Sequence, residues 1–146
     1  MQTFDPRTIS TPVCTALQEL RSQTEKARME SDPNLDKKKK QATLKDQKNQ
    51  AVELYTYLAT WGMLRLKAEE QAISPSQEGK KQVVRQYFTC LESLSEIANL
   101  SGNKGLNTLK NLSTDSYLGL TGLGLEIAKE FSFWANAIYH DVKGEN

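Results

Sequence analysis

Histidine and cysteine are nearly missing from this chain, which holds one of the first and two of the second in 146 residues. His140 and Asp141 spell a dipeptide used by metal-dependent phosphohydrolases, but such sites need further histidines and aspartates, and one imidazole cannot complete the shell. Any Ser/His/Asp or Cys/His arrangement would depend on this same His140, close to the end of the chain. Cys14 and Cys90 belong to no CxxC pair, so neither a zinc site nor a disulfide framework is expected. They read as incidental thiols of a reducing, cytoplasmic protein.

Long apolar runs are also lacking. The most apolar stretch, residues 117–139, is interrupted by Glu126, Lys129 and Glu130, charges that would be costly in hydrocarbon, so no membrane span is expected. The opening "MQTFDPRTIS" has no apolar run behind basic residues, so no secretory leader is expected. Glycine is sparse. Its one cluster, "GLTGLGLEI" at 119–127, has the spacing G-x-x-G-x-G, follows no strand and precedes no Walker lysine. Gly119, Gly122 and Gly124 read instead as points where another helix approaches closely. No segment sustains two-residue alternation, so strands are not expected. With no catalytic group, metal shell or cofactor loop in view, the chain reads as a non-enzyme with no cofactor and no small-molecule substrate.

Helix signals are plentiful. Thr11-Pro12, Asp32-Pro33 and Ser74-Pro75 each place a capping side chain before a proline suited to the first helical residue. Gln77, three residues after Ser74, would complete a capping box. A first helix is expected over 12–31, with Val13, Ala16, Leu17 and Leu20 as its stripe. A second, from Pro33, meets no breaker before Gly62 and continues to about Ala72. Its 40 residues would reach about 60 Å, so it should bend near 46–50 or project. Val84, Tyr87, Phe88, Leu91, Leu94 and Ala98 mark a third helix ending at Ser101-Gly102-Asn103. Leu106, Leu109 and Leu112 suggest a short fourth. Tyr117, Leu120, Gly124, Ile127, Ala128, Phe131, Trp134 and Ile138 form the stripe of a last one, starting near Thr114 or Asp115. The expectation is a single all-α domain over 1–146: an antiparallel bundle of about five helices with one long, partly projecting basic helix.

That basic segment is "DKKKKQATLKDQKNQ", residues 36–50, with six lysines and two acids in a chain whose formal net charge is +1. Its net charge of +4 leaves −3 for the remainder, so a near-neutral total hides a segregation. Residues 34–50 look too polar to bury, whereas "AVELYTYLATWGMLRL" at 51–66 is apolar on nearly every side and belongs inside a bundle. With Lys37 at zero and about 100° per residue, Lys48 lies near 20°, Lys45 near 80°, Lys38 near 100° and Lys40 near −60°. Lys39 falls outside this sector. Leu35 and Ala42 lie opposite as a docking face, and Leu44 falls among the lysines. Lysines displayed this way suit phosphates and read no base sequence. Arg65, Lys80, Lys81 and Arg85 are further candidates to extend the surface. Among the aromatics, Tyr55, Tyr87, Phe88, Tyr117, Phe131 and Trp134 sit on apolar stripes, while Trp61 or Phe133, if exposed, suits a protein interface better than a base.

"YTYLATWGMLRLKAEEQA" (55–72), a helix ending in "YFTCLESLSEIANL", and "DSYLGLTGLGLEIAKEFSFWANAIYHD" (115–141) together resemble the small all-α subunit of type III CRISPR effector complexes, the Cmr/Csm small-subunit family. Gly62-Met63 and Lys67 match a Gly-Leu-like step before a lysine. Tyr117, residues 126–128 and Trp134-Ala135 match later features. The family's Arg pair after the tryptophan has no counterpart in "ANAIYHD". The resemblance implies a non-catalytic protein whose copies stack beside larger subunits and line a channel for guide RNA paired with target RNA. The alternative is a helical adaptor or regulator that docks on proteins alone.

Overall fold

The computed structural model describes residues 5–143, so residues 1–4 and 144–146 of the expected 1–146 unit lie outside the described residues. Its regular elements are α1 (Arg7–Lys26), α2 (Pro33–Trp61), α3 (Met63–Ala72), α4 (Glu78–Ser95), α5 (Gly105–Asn111) and α6 (Thr114–Ile138), with a 3-10 turn over Pro75–Gln77 leading into α4. The chain is all-helical, as its periodicity requires. Six α-helices, not about five, form among the described residues, because Gly62 divides the expected second helix. Its φ of 87° is a backbone state that side-chain-bearing residues avoid, so the chain changes direction there without strain. No break falls at 46–50, where a bend was one of two expectations: α2 runs as one helix of 29 residues, about 43 Å.

Several boundaries move for local reasons. The first helix starts at Arg7 because Asp5 and Pro6 supply the cap-and-proline pattern earlier: the Asp5 carboxylate accepts the Arg7 amide at 2.9 Å. Ile9 then adds a buried turn to Val13, Leu17, Leu20 and Thr24. Pro12 therefore lies inside the helix, where its missing N–H deprives the carbonyl of exposed Thr8, which water can reach. The helix stops at Lys26, not at 31, since the Asp36 carboxylate draws residues 27–31 onto α2 by accepting the amides of Met29 (2.7 Å) and Glu30 (3.0 Å). Asp32 and Pro33 do start α2, with the Asp32 side chain on the Asn34 amide at 2.9 Å. Ser74 caps the Ser76 amide at 3.3 Å, but Gln77 does not complete a capping box. Instead of ending at 101–103, α4 closes with Glu96 in the left-handed conformation (φ 61°). Beyond it, Glu92 gathers the loop by accepting from the Leu100 amide (2.9 Å) and the Ser101 hydroxyl (3.0 Å).

The core gathers Val13 and Leu17 from α1, Ala51 and Leu54 from α2, Tyr87, Phe88 and Leu91 from α4, and Ile127, Phe131 and Ala135 from α6. Tyr87 meets Phe88 and Phe131 edge-on, with ring centroids 5.2 and 5.8 Å apart, and donates its hydroxyl to the Gly124 carbonyl at 2.9 Å. A side chain at position 124 would strike Met63 Cε at 2.4 Å and Tyr87 Oη at 2.6 Å, so here glycine does permit close approach. Gly119 and Gly122 face open space, which corrects their expected packing role.

The polar half of α2 is more buried than its composition suggests. Leu44 is buried, and Gln47 is fully enclosed: its Nε2 donates to Thr24 Oγ1 and to Gln82 Oε1, each at 2.8 Å, while its Oε1 accepts from the Tyr139 hydroxyl at 2.7 Å. One side chain thus ties α2 to α1, α4 and the residue after α6. Burial tolerates it because both ends of the amide are hydrogen-bonded. Within α2 the first stretch, residues 33–43, has no fully buried side chain over about 16 Å at 1.5 Å per residue.

Candidate nucleic-acid interface

The docked face of α2 decides what its lysines can do. Leu44, Gln47, Ala51, Leu54 and Leu58 are the buried residues of this helix. On the wheel with Lys37 at zero they centre near about −60°. The expected docking face of Leu35 and Ala42 lies outward instead, with Leu35 47% exposed. Leu44 was the residue that broke the pattern on the sequence, yet it is the one that docks. Lys40 therefore shares the docking azimuth, and its Nζ lies 3.1 Å from Asp36. Lys48 is half-buried and donates to the Val142 carbonyl at 2.6 Å, fastening the segment just after α6 to α2. Lys39 pairs with Glu30 at 2.7 Å.

Lys37, Lys38 and Lys45 are left exposed, and none has an acidic partner among the described residues. They lie near 0°, 100° and 80°, outside the docked sector. Of the five lysines expected to share one basic sector, three thus display free amines and two are engaged. Lys45 also borders a cavity of about 490 Å³ with Arg21, Asp141 and Lys143. Arg21 holds Asp141 through paired contacts at 2.6 and 2.8 Å, which keep the Asp141 carboxyl well below its ordinary range.

The remaining candidates are dispersed. Arg65 is exposed and lies over the Trp61 ring, 4.3 Å from its centroid. Lys80 borders a small cavity with Tyr57 and Glu69, whose side chains hydrogen-bond to each other. That contact and burial push the Tyr57 hydroxyl up to about 12, with burial the larger cause. Lys81 and Arg85, one turn apart on α4, line a separate cavity of about 320 Å³ between α3 and the loop at 101–103. Neither Lys37 nor Lys38 lines either of these two cavities.

That third cavity contains what the sequence did not disclose. Lys67 is 1% exposed, with Nζ 2.8 Å from Glu70 and 4.5 Å from the centroid of the Phe88 ring. Glu70 is buried with it and also lies 4.0 Å from Arg85. Gly105 covers the lysine so closely that a Cβ there would fall 2.3 Å from Lys67 Cε and 2.2 Å from the Leu100 carbonyl oxygen. The i, i+3 pair of Lys67 and Glu70 in "MLRLKAEE" was the one available signal for it.

His140 is exposed two residues past α6, with Nδ1 3.1 Å from the Ala137 carbonyl oxygen. Among the described residues, no group of three or more His, Cys, Asp or Glu side chains is placed to hold a metal ion, and no helix is long and apolar enough to cross a membrane. Cys90 is buried, and burial pushes its thiol up to about 11, away from nucleophilic chemistry. Trp61, Leu64, Leu118 and Phe133 are exposed large apolar side chains. The Leu64 amide donates to the Tyr117 hydroxyl at 3.1 Å, which brings the start of α3 beside the first turns of α6. No family model, curated protein or solved structure matches the chain.

Proposed function

We propose that the protein is a non-catalytic, cytoplasmic RNA-complex subunit that grips the sugar-phosphate backbone through Lys37, Lys38 and Lys45, in the manner of the small subunit of type III CRISPR effectors. The observation that carries this reading is the set of three uncommitted amines on the outward sector of α2, on and just beyond the turns that bury nothing. Cations so placed neutralise phosphates without reading bases. Sister copies and larger subunits would dock on the exposed Trp61 and Leu64 at the α2–α3 junction and on Leu118 in the first turns of α6. An antiparallel order of the long helices belongs to the same reading. Arg65, carried by α3, and Lys80, Lys81 and Arg85, carried by α4, are the weaker contacts in this reading.

The same exposed apolar residues favour a second reading, a helical adaptor that docks on proteins alone, with lysines that only keep it soluble. Anisotropy titration of single-stranded RNA across a salt series separates the two. For the RNA subunit, affinity falls steeply with salt, and Lys37→Ala/Lys38→Ala/Lys45→Ala flattens the log–log slope by about 2, near 0.7 for each lost single-strand phosphate contact. Equal slopes and affinities for native and variant chains, in isolation and in the assembled particle, would reject RNA contact and leave the adaptor.

A further inference from the structure

The geometry points to a seat for a phosphate monoester in the cavity of about 320 Å³ bounded by α3, α4 and the loop at 101–103. This inference is independent of the lysines on α2. It begins with charge: Lys67, Lys81 and Arg85 line the cavity against one acid, Glu70, a net of +2. Glu70 already bonds to Lys67 at 2.8 Å and reaches Arg85 at only 4.0 Å, so a single carboxylate is divided between two cations. Lys81 is half-buried and has no acidic partner among the described residues. Arg85 Nη1 lies 3.3 Å from Glu78, whose half-exposed carboxylate is screened by water. Glu92 borders the same loop, but its oxygens are taken by the Leu100 amide and the Ser101 hydroxyl.

The donors share one cavity. Lys81 and Arg85 stand one turn apart on α4, and Asn103 lines the same cavity from the loop with its side-chain amide unused by any described residue. Buried Lys67 fixes the charge of the floor, since Gly105 and Phe88 leave its ammonium no room to move away. A phosphate monoester carries about −1.5 to −2 near neutral pH and so matches the lining, whereas a diester carries only one charge and would leave a cation uncompensated. A volume near the lower end for ligand sites admits a phosphate with a small organic group and little more. The monoester could be a free small molecule or the phosphorylated end of an oligonucleotide.

Calorimetric titration of the full chain with inorganic phosphate, ribose 5-phosphate and dimethyl phosphate tests the seat. Saturable binding of the first two is expected, with dimethyl phosphate about tenfold weaker or more. Lys81→Gln and Arg85→Gln should each weaken binding about tenfold, as loss of a charge-assisted hydrogen bond does. Lys129→Gln, at an exposed position on α6, should change nothing. Amide NMR shifts at 101–103 on adding phosphate to the native chain give a readout that needs no variant. A 5′-phosphorylated trinucleotide binding tighter than ribose 5-phosphate would assign the ligand to a chain end, and equal binding to a small molecule. No saturable monoester binding, equal binding of dimethyl phosphate, or an equal loss in Lys129→Gln would overturn the seat. Failure of RNA binding alone, with these results intact, would remove only the backbone-gripping reading.

Discussion

The first turns of α2 and the corner where α3 meets α4 and α5 both collect positive charge, by opposite means. On α2 the charge is abundant and cheap: four consecutive lysines on a helix whose first 11 residues bury nothing, with amines that meet water or a nearby acid. At the corner it is scarce and confined: one lysine under a glycine, one shared carboxylate, and two cations lining a concave wall. A dense run of charge therefore reports exposure. A charge enclosed in the core is the more unusual event, since enclosure requires a partner and a fixed geometry.

Unpairing the corner gives the largest expected effect. Lys67→Met strands Glu70 in the interior with only Arg85 at 4.0 Å, and should lower unfolding free energy by about 3–5 kcal/mol in urea denaturation. Lys67→Met/Glu70→Leu should recover most of that loss, which separates an uncompensated charge from lost packing. If the single variant melts like the native chain, the corner is open and its comparison with α2 collapses.

Next in size is the docked part of α2. Gln47→Ala removes three hydrogen bonds and leaves Thr24 and the Tyr139 hydroxyl without their buried partner, at a cost of about 2–3 kcal/mol by the same denaturation. A change below 0.5 kcal/mol would mean that this half of the helix is as exposed as its composition suggests.

Acid should loosen the clasp at the base of α2. The Met29 amide first, and Lys40 next, hold the Asp36 carboxyl below its ordinary value of 3.8. Its contribution is therefore complete above about pH 5 and is lost as pH falls through the lowered folded value. Hydrogen exchange at Met29 and Glu30 should accelerate as the pH drops below 4 relative to the intrinsic rate, and Asp36→Asn should remove that pH dependence. The smallest effect belongs to the displayed amines: Lys37→Ala/Lys38→Ala/Lys45→Ala should shift stability by less than about 0.5 kcal/mol, because exposed groups without partners contribute little.

Much of this fold was legible in local pattern. The stripes of α4 and α6, the Asp32 cap and the start at Thr114 all depend on residues within a few positions of one another. What escaped depends on distant partners. Gln47 is buried because Thr24, Gln82 and Tyr139 meet it, 23, 35 and 92 residues away, and no window around residue 47 contains that fact. Between Leu35 and Leu44 the helix offers two apolar faces, and docking against the rest of the bundle chooses Leu44. Gly62 sits within a helical period that a glycine alone weakens by only about 1 kcal/mol, so periodicity could not show that the helix stops there. In the candidate site, the sequence located the lysine run, but only the neighbouring acids and carbonyls divide its amines into free and held.

The distinction between free and held amines is measured most directly by limited acetylation of the intact protein, read lysine by lysine by mass spectrometry with and without single-stranded RNA. The expected result is rapid modification of Lys37, Lys38 and Lys45, slow modification of Lys40 and Lys48, none at Lys67, and protection of the first three by RNA. Uniform reactivity along 37–48, or no protection at those three positions, would contradict the account.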